Sequence, residues 1–139
     1  MKATLPFVLS ALLVAGCSKA GNQAPPEPAS LVGGTWTWSS SQIETTPKAG
    51  GPTTVSTQTV QVGKETRSFS ADGFMQVAYD GVAQPKVNYQ FADSKITVFQ
   101  AFTVTMLEVG ELTAKRLVYT QAQESTDHRY RLTTTFTRN

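Results

Sequence analysis

Ser125, Asp127 and His128 bring together the residue types of a hydrolytic triad near the C-terminal end of the chain. A triad works only when the imidazole stands in space between a nucleophile and an orienting carboxylate. Near neighbours in one polar stretch do not acquire that geometry from their spacing, so Glu124–His128 reads as a hydrophilic hairpin turn with an imidazole on its surface. His128 is the single histidine, and a conventional zinc site would have to be made almost wholly of carboxylates. The 10 Asp and Glu residues are scattered, with neither an EF-hand spacing nor a paired-acid spacing among them. Gly33-Gly34, Gly50-Gly51 and Gly110 lead into no helix that would cradle a phosphate. The residues therefore predict no enzyme, no metal site and no cofactor. Cys17 is the only cysteine, which excludes an internal disulfide framework.

Composition narrows the class further. Against 12 Lys and Arg the 10 acids leave a net charge of +2, spread along the chain, and nothing in that balance points to nucleic acid. Apolar residues make up 40% of the 139 positions, enough for one modest core and too many for a disordered chain. Charged residues are only 16%, below the roughly 25% of ordinary soluble domains. Threonine supplies much of the missing polarity, and its branched Cβ favours strands.

The N-terminal residues read as an address. Met1-Lys2 is a short basic start, and the apolar run Leu5–Ala15 that follows is about half the roughly 20 residues a spanning helix needs. It reads as the hydrophobic region of a signal peptide. The run ends in Val14-Ala15-Gly16-Cys17, where small residues before a lone cysteine resemble the lipobox of bacterial lipoproteins. The resemblance implies that residues 1–16 are a cleaved signal peptide. It implies also that Cys17 carries diacylglycerol and an amide-linked, palmitate-type chain, making the lipid bilayer a partner through acylated Cys17. Several such chains anchor firmly, at about 0.8 kcal/mol per buried CH₂, where one alone is marginal. Ser18 stands where the best-known enteric bacteria place an aspartate to retain lipoproteins at the inner membrane. The expected location is therefore the cell envelope, with the outer membrane favoured over the inner. Residues 17–30 then comprise the lipidated cysteine and a Pro-rich flexible spacer, Lys19 to Ser30, holding the domain off the membrane.

From Leu31 onward strand-length alternation recurs, punctuated by turn residues. Trp36, Trp38 and Ser40 share one face of a first strand. Val55–Val62, the stretch up to Phe69, Met75–Tyr79, Val87–Phe91, Ile96–Phe99, Thr103–Val109, Leu117–Gln121 and Tyr130–Phe136 follow. Asp72-Gly73 and Asp80-Gly81 are hairpin signals, because glycine tolerates the positive φ of primed turns. Gln42–Thr59 reads as a long loop, and Glu111–Lys115 as the one helical turn. The prediction is an all-β, antiparallel up-and-down meander of eight or nine strands over residues 31–139. Spacing alone leaves a closed barrel and a sandwich both open.

Gly34-Thr35-Trp36 resembles the Gly-x-Trp opening of the lipocalin superfamily. Phe69-Ser70-Ala71-Asp72-Gly73, Tyr89 and Leu112-Thr113-Ala114-Lys115-Arg116-Leu117 are similar to segments of small lipocalin-like domains in bacterial lipoproteins. The resemblance implies a small lipocalin-like barrel, with Gly34 and Trp36 structural and Trp36 plugging the closed end. In the family the opening tryptophan packs near a basic residue from the end of the barrel, here Arg129, Arg131 or Arg138.

For such a barrel, Trp38, Met75, Tyr79, Tyr89, Met106 and Tyr119 are the candidate ligand-facing residues, with Phe91 and Val104 also expected to point inward. The Gln42–Thr59 loop is the expected lid. The expected function is binding of a small apolar or amphipathic molecule. The alternative is a filled core, with the protein acting as an interaction or inhibitor module on an envelope protein through an exposed apolar patch.

Overall fold

The structure, a computed structural model, describes residues 30–59 and 64–139. The expected signal peptide, Cys17 and all of the expected spacer before Ser30 lie outside the described residues. Ten strands follow one another: β1 (Thr35–Pro47), β2 (Thr54–Gln58), β3 (Glu65–Phe69), β4 (Phe74–Tyr79), β5 (Val82–Ala83), β6 (Val87–Ala92), β7 (Lys95–Gln100), β8 (Thr103–Leu112), β9 (Arg116–Glu124) and β10 (His128–Thr137). The described residues contain no helix.

Every pairing is antiparallel, and β10 returns to pair with β1 from Thr37↔Thr137 to Pro47↔His128. That pairing closes β1, β3, β4, β6, β7, β8, β9 and β10 into an eight-stranded up-and-down barrel and excludes the sandwich. Closure satisfies backbone groups that an open sheet would leave along its edges. The long β1 serves two neighbours on one side, β3 against Thr35–Thr37 and β2 against Ser41–Thr45.

The turns account for the register. Asp80 and Gly81 both have positive φ, 49° and 81°, and close β4 onto β5 as the primed turn expected of Asp-Gly. Asp93 and Ser94 do the same between β6 and β7, at 51° and 57°. Asp72-Gly73 differs from expectation, since only Gly73 is positive, at 85°. There the Gly73 N–H donates to the Ser70 carbonyl and the Ser70 N–H to that of Phe74, a three-residue loop with glycine in the left-handed position.

Three further expectations are corrected. Gln42–Thr59 is not a loop, because β1 continues to Pro47 and β2 folds back on it. Glu111–Lys115 is not helical: β8 runs through Leu112 across a bulge at Val109/Glu111, and the Thr113 hydroxyl then accepts the Arg116 N–H in a tight turn. The alternation of Trp36, Trp38 and Ser40 breaks at a bulge between Trp38 and Ser40, which turns Ser41 and Ile43 inward instead. A bulge adds one residue, and one residue exchanges the two faces of a strand.

The core fills the end of the barrel nearer Ser30. Trp36, Ile96, Leu117 and Phe136 are fully buried there, each stabilising by about 1.5–3 kcal/mol relative to exposure. Leu31, Phe69, Met75, Tyr89 and Leu107 pack with them, Phe69 and Tyr89 edge-to-face at 5.1 Å. Above this layer the inward side chains become progressively more polar.

Candidate functional site

Above the packed layer the barrel opens into a cup of about 500 Å³. Ascending β9 shows how it arises: Leu117 is wholly buried, Tyr119 nearly so, and Gln121 only partly. The same gradient runs along β7 from Ile96 through Val98 to Gln100, and along β10 from Phe136 through Thr134 to Leu132. Trp38, Ile43, Val77 and Leu132 give the wall apolar surface, while Gln58, Gln100 and Gln121 provide polar side chains.

The floor carries an ion pair. Arg67 Nε–H donates to Glu65 Oε1 at 2.7 Å, and both side chains remain only about a fifth exposed, 19% and 21%. The Arg67 guanidinium carbon lies 5.1 Å from the Phe136 ring centre and 5.5 Å from that of Tyr119, so the charge rests on aromatic faces. Burial works against that charge, but Tyr119 and Glu65 outweigh it and hold the guanidinium above its ordinary pKa. Burial likewise pushes the Tyr119 phenol up, against the pull of Arg67. Beside them Trp38 Nε1–H donates to Ser41 Oγ at 3.0 Å, and Ser41 Oγ donates to Thr134 Oγ1 at 3.3 Å.

Four of the six candidate ligand-facing residues line this cup: Trp38, Met75, Tyr79 and Tyr119. Tyr79 stands half-exposed. The other two do not line it. Tyr89 is buried in the closed end, where its hydroxyl donates to the Ser70 carbonyl at 3.0 Å and its flank borders an outer groove with Leu31 and Phe91. Met106 is 63% exposed on the outer face. Its register explains the error, because Met106 pairs with Thr97 while Leu107 pairs with inward-facing Ile96. Directly opposite residues share a face, so β7 orients Thr105 and Leu107 inward and Val104 and Met106 outward. Phe91 also has its side chain partly in solvent.

Apolar alternation in the sequence does not point to Glu65 and Arg67. Their signal was Phe69, two residues on and on the same face of β3, which places Arg67 and Glu65 inside whenever Phe69 is inside.

At the closed end the structure selects among the three arginines. Arg138 lies 4.3 Å from the centre of the Trp36 ring. It donates from Nε to the Ala114 carbonyl at 2.9 Å, and from Nη1 to those of Gly33 at 2.7 Å and Ser30 at 3.3 Å. The Trp36 indole N–H donates to the Leu31 carbonyl at 3.0 Å. Gly34 has φ +117°, and a Cβ there would meet Arg138 Cδ at 2.9 Å. Both features give this position to glycine.

Ser125, Asp127 and His128 sit at the turn between β9 and β10. Ser125 Oγ accepts the His128 N–H at 3.1 Å, and the imidazole lies beside Tyr130, ring centres 6.0 Å apart. Among the described residues no three or more His, Cys, Asp or Glu side chains are grouped to hold a metal ion. On the outer face, Phe74 pairs with Asn88, Asn88 with Phe99, and Phe99 with Val104, forming one row across four strands. Its apolar members, with Met106 and with Phe102 at 99% exposure, stand in water.

No protein-family model, curated protein or solved structure matches this chain.

Proposed function

We propose that this is a lipid-anchored cell-envelope protein whose lipocalin-like barrel binds one small amphipathic molecule in its open cup. The observation that carries the reading is the cup itself. A small eight-stranded barrel either fills with side chains or leaves room for one ligand, and about 500 Å³ lies within the roughly 300–1,000 Å³ of small-molecule sites. Its wall joins apolar side chains to a few fixed polar groups, the combination that orients an amphipath. The lipobox resemblance at Val14–Cys17 supplies the anchor, and Ser18 favours the outer membrane.

Native mass spectrometry of the chain purified from its own envelope tests the binding reading. The expected result is a co-purified small molecule that a Val77→Trp variant, filling the cup, no longer carries. An empty wild-type protein that also fails to take up added amphiphiles refutes it. Metabolic labelling with palmitate tests the anchor: label is expected on the chain and absent from Cys17→Ala.

A second reading draws on the outer side chains Phe74, Phe99, Phe102, Val104 and Met106, since exposed apolar surface marks interaction sites. On that reading the protein binds an envelope protein through β7 and β8. Recovery of a stoichiometric partner by wild type, lost in a Val104→Lys/Met106→Lys variant, supports it. Failure to recover any partner counts against it.

A further inference from the structure

We propose that the cup takes its ligand head-down as a monocarboxylate, held end-on by the Nη1–Nη2 edge of Arg67 with its apolar body directed toward the mouth. The inference rests on the reading of the cup as a ligand site and narrows it to a chemical class. Arg67 is held by its surroundings before any ligand arrives. Its guanidinium is seated against Phe136 and Tyr119, and its Nε is fixed by Glu65. That arrangement uses one edge of the fork. The Arg67 side chain also bonds that of Tyr119, and among the described residues it donates to no carbonyl or carboxylate besides Glu65, although it lines the cup. The paired N–H groups of the Nη1–Nη2 edge match the two oxygens of a planar carboxylate, and charge assistance makes the match strong.

Charge balance disfavours an ammonium head and a phosphate monoester head. Among the described residues Glu65 and Arg67 are the only charged side chains lining the cup, and they cancel. An ammonium head would meet Arg67's charge with only an already paired carboxylate in its favour. A phosphate monoester would bring about twice the negative charge of a carboxylate against Glu65. A carboxylate adds one charge and gains the donors of the Nη1–Nη2 edge. Position fixes the polarity of binding as well. Arg67 pairs with Val77, deeper than the Glu65–Tyr79 pair, so a head on Arg67 leaves Val77, Ile43 and Leu132 for the body.

The ion pair then has a second consequence. Glu65 competes with the ligand for the same guanidinium, so removing its charge while keeping its shape frees Arg67 for the ligand. The test is titration of the full chain with octanoate, octanol, octylamine and octyl phosphate, read by calorimetry and by tryptophan fluorescence, since Trp38 lines the cup. Octanoate is expected to bind at least about tenfold tighter than octanol or octylamine. Arg67→Met is expected to abolish that preference and Arg67→Lys to lose most of it, the charge being kept and the fork lost. Glu65→Gln is expected to tighten octanoate several-fold with octanol unchanged. Should Arg67→Met fail to fold, Arg67→Lys and Glu65→Gln carry the test. Octanol binding as tightly as octanoate overturns the head-group inference and leaves the cup a ligand site. Tighter binding of octyl phosphate, or weakened octanoate binding in Glu65→Gln, overturns the carboxylate assignment. No binding of any of the four by a natively folded chain overturns both the inference and the ligand reading.

Discussion

Arg138 and Trp36 meet face to charge at the closed end of the barrel, 4.3 Å from guanidinium carbon to ring centre. The contact ties the last residues of the chain to the first strand, and the same guanidinium bonds the Ser30, Gly33 and Ala114 carbonyls. Arg138→Ala is expected to cost about 1–3 kcal/mol in urea unfolding. Arg138→Lys should recover less than half, because an ammonium does not serve several carbonyls in the plane of a ring. Gly34→Ala should cost about 1–3 kcal/mol from its positive φ and its clash with Arg138. Gly34→Ala/Arg138→Ala should cost less than the two single changes added together.

The Glu65–Arg67 pair makes a different kind of prediction. Arg67→Leu leaves a largely buried carboxylate without its partner, and removes the charge from over Phe136 and Tyr119. Its expected cost is about 2–3 kcal/mol, below the range for a fully buried pair because a fifth of each side chain still meets solvent. Glu65→Leu/Arg67→Leu should restore most of the loss, since a well-packed apolar pair replaces two desolvated charges. A double mutant no more stable than Arg67→Leu would show that the pair contributes more than its mutual neutralisation. Chemical denaturation of the three chains decides it.

The facing of β8 is testable with two truncations of neighbouring residues. Leu107→Ala opens a cavity in the core and is expected to cost about 2–4 kcal/mol. Met106→Ala, on the outer face, is expected to stay within about 0.5 kcal/mol of wild type. Equal costs for the two would contradict the register of β8 on β7.

Tyr119 predicts an alkaline limb to stability. Burial raises its phenol above the ordinary value, so the native protein holds that proton more tightly than the unfolded chain does. The associated stability is present below the unfolded tyrosine pKa, near 10, and is lost as pH rises through the folded value. Stability measured from pH 8 to pH 11 should fall for wild type and fall less steeply for Tyr119→Phe. An identical slope in both chains would assign the alkaline limb to other groups.

Much of the architecture was legible because strands and turns are local. A period of two residues reveals a strand without reference to its neighbours, and Asp80-Gly81 sets a primed turn from its own backbone preferences. The regular run of such strands with short connections already implied an antiparallel meander. Met75, Tyr79 and Tyr119 are legible as inward because their strands alternate cleanly, and Trp36 and Trp38 because they precede the bulge of β1. Adjacent Met106 and Leu107 offer two phases of equal hydrophobicity, and only pairing with Ile96 and Val98 on β7 chooses between them. The bulge after Trp38 reverses the face of β1 without any break in its composition. Closure, the choice of Arg138 from three arginines, and the meeting of Arg67 with Phe136 and Tyr119 join residues far apart in the chain. Their cause is the return of β10 to β1, a long-range pairing that no local pattern encodes. By itself the sequence determined that this chain makes strands and where it turns. The closed barrel decided which side chains share its interior, because a strand's alternation has no inside until a partner strand supplies one.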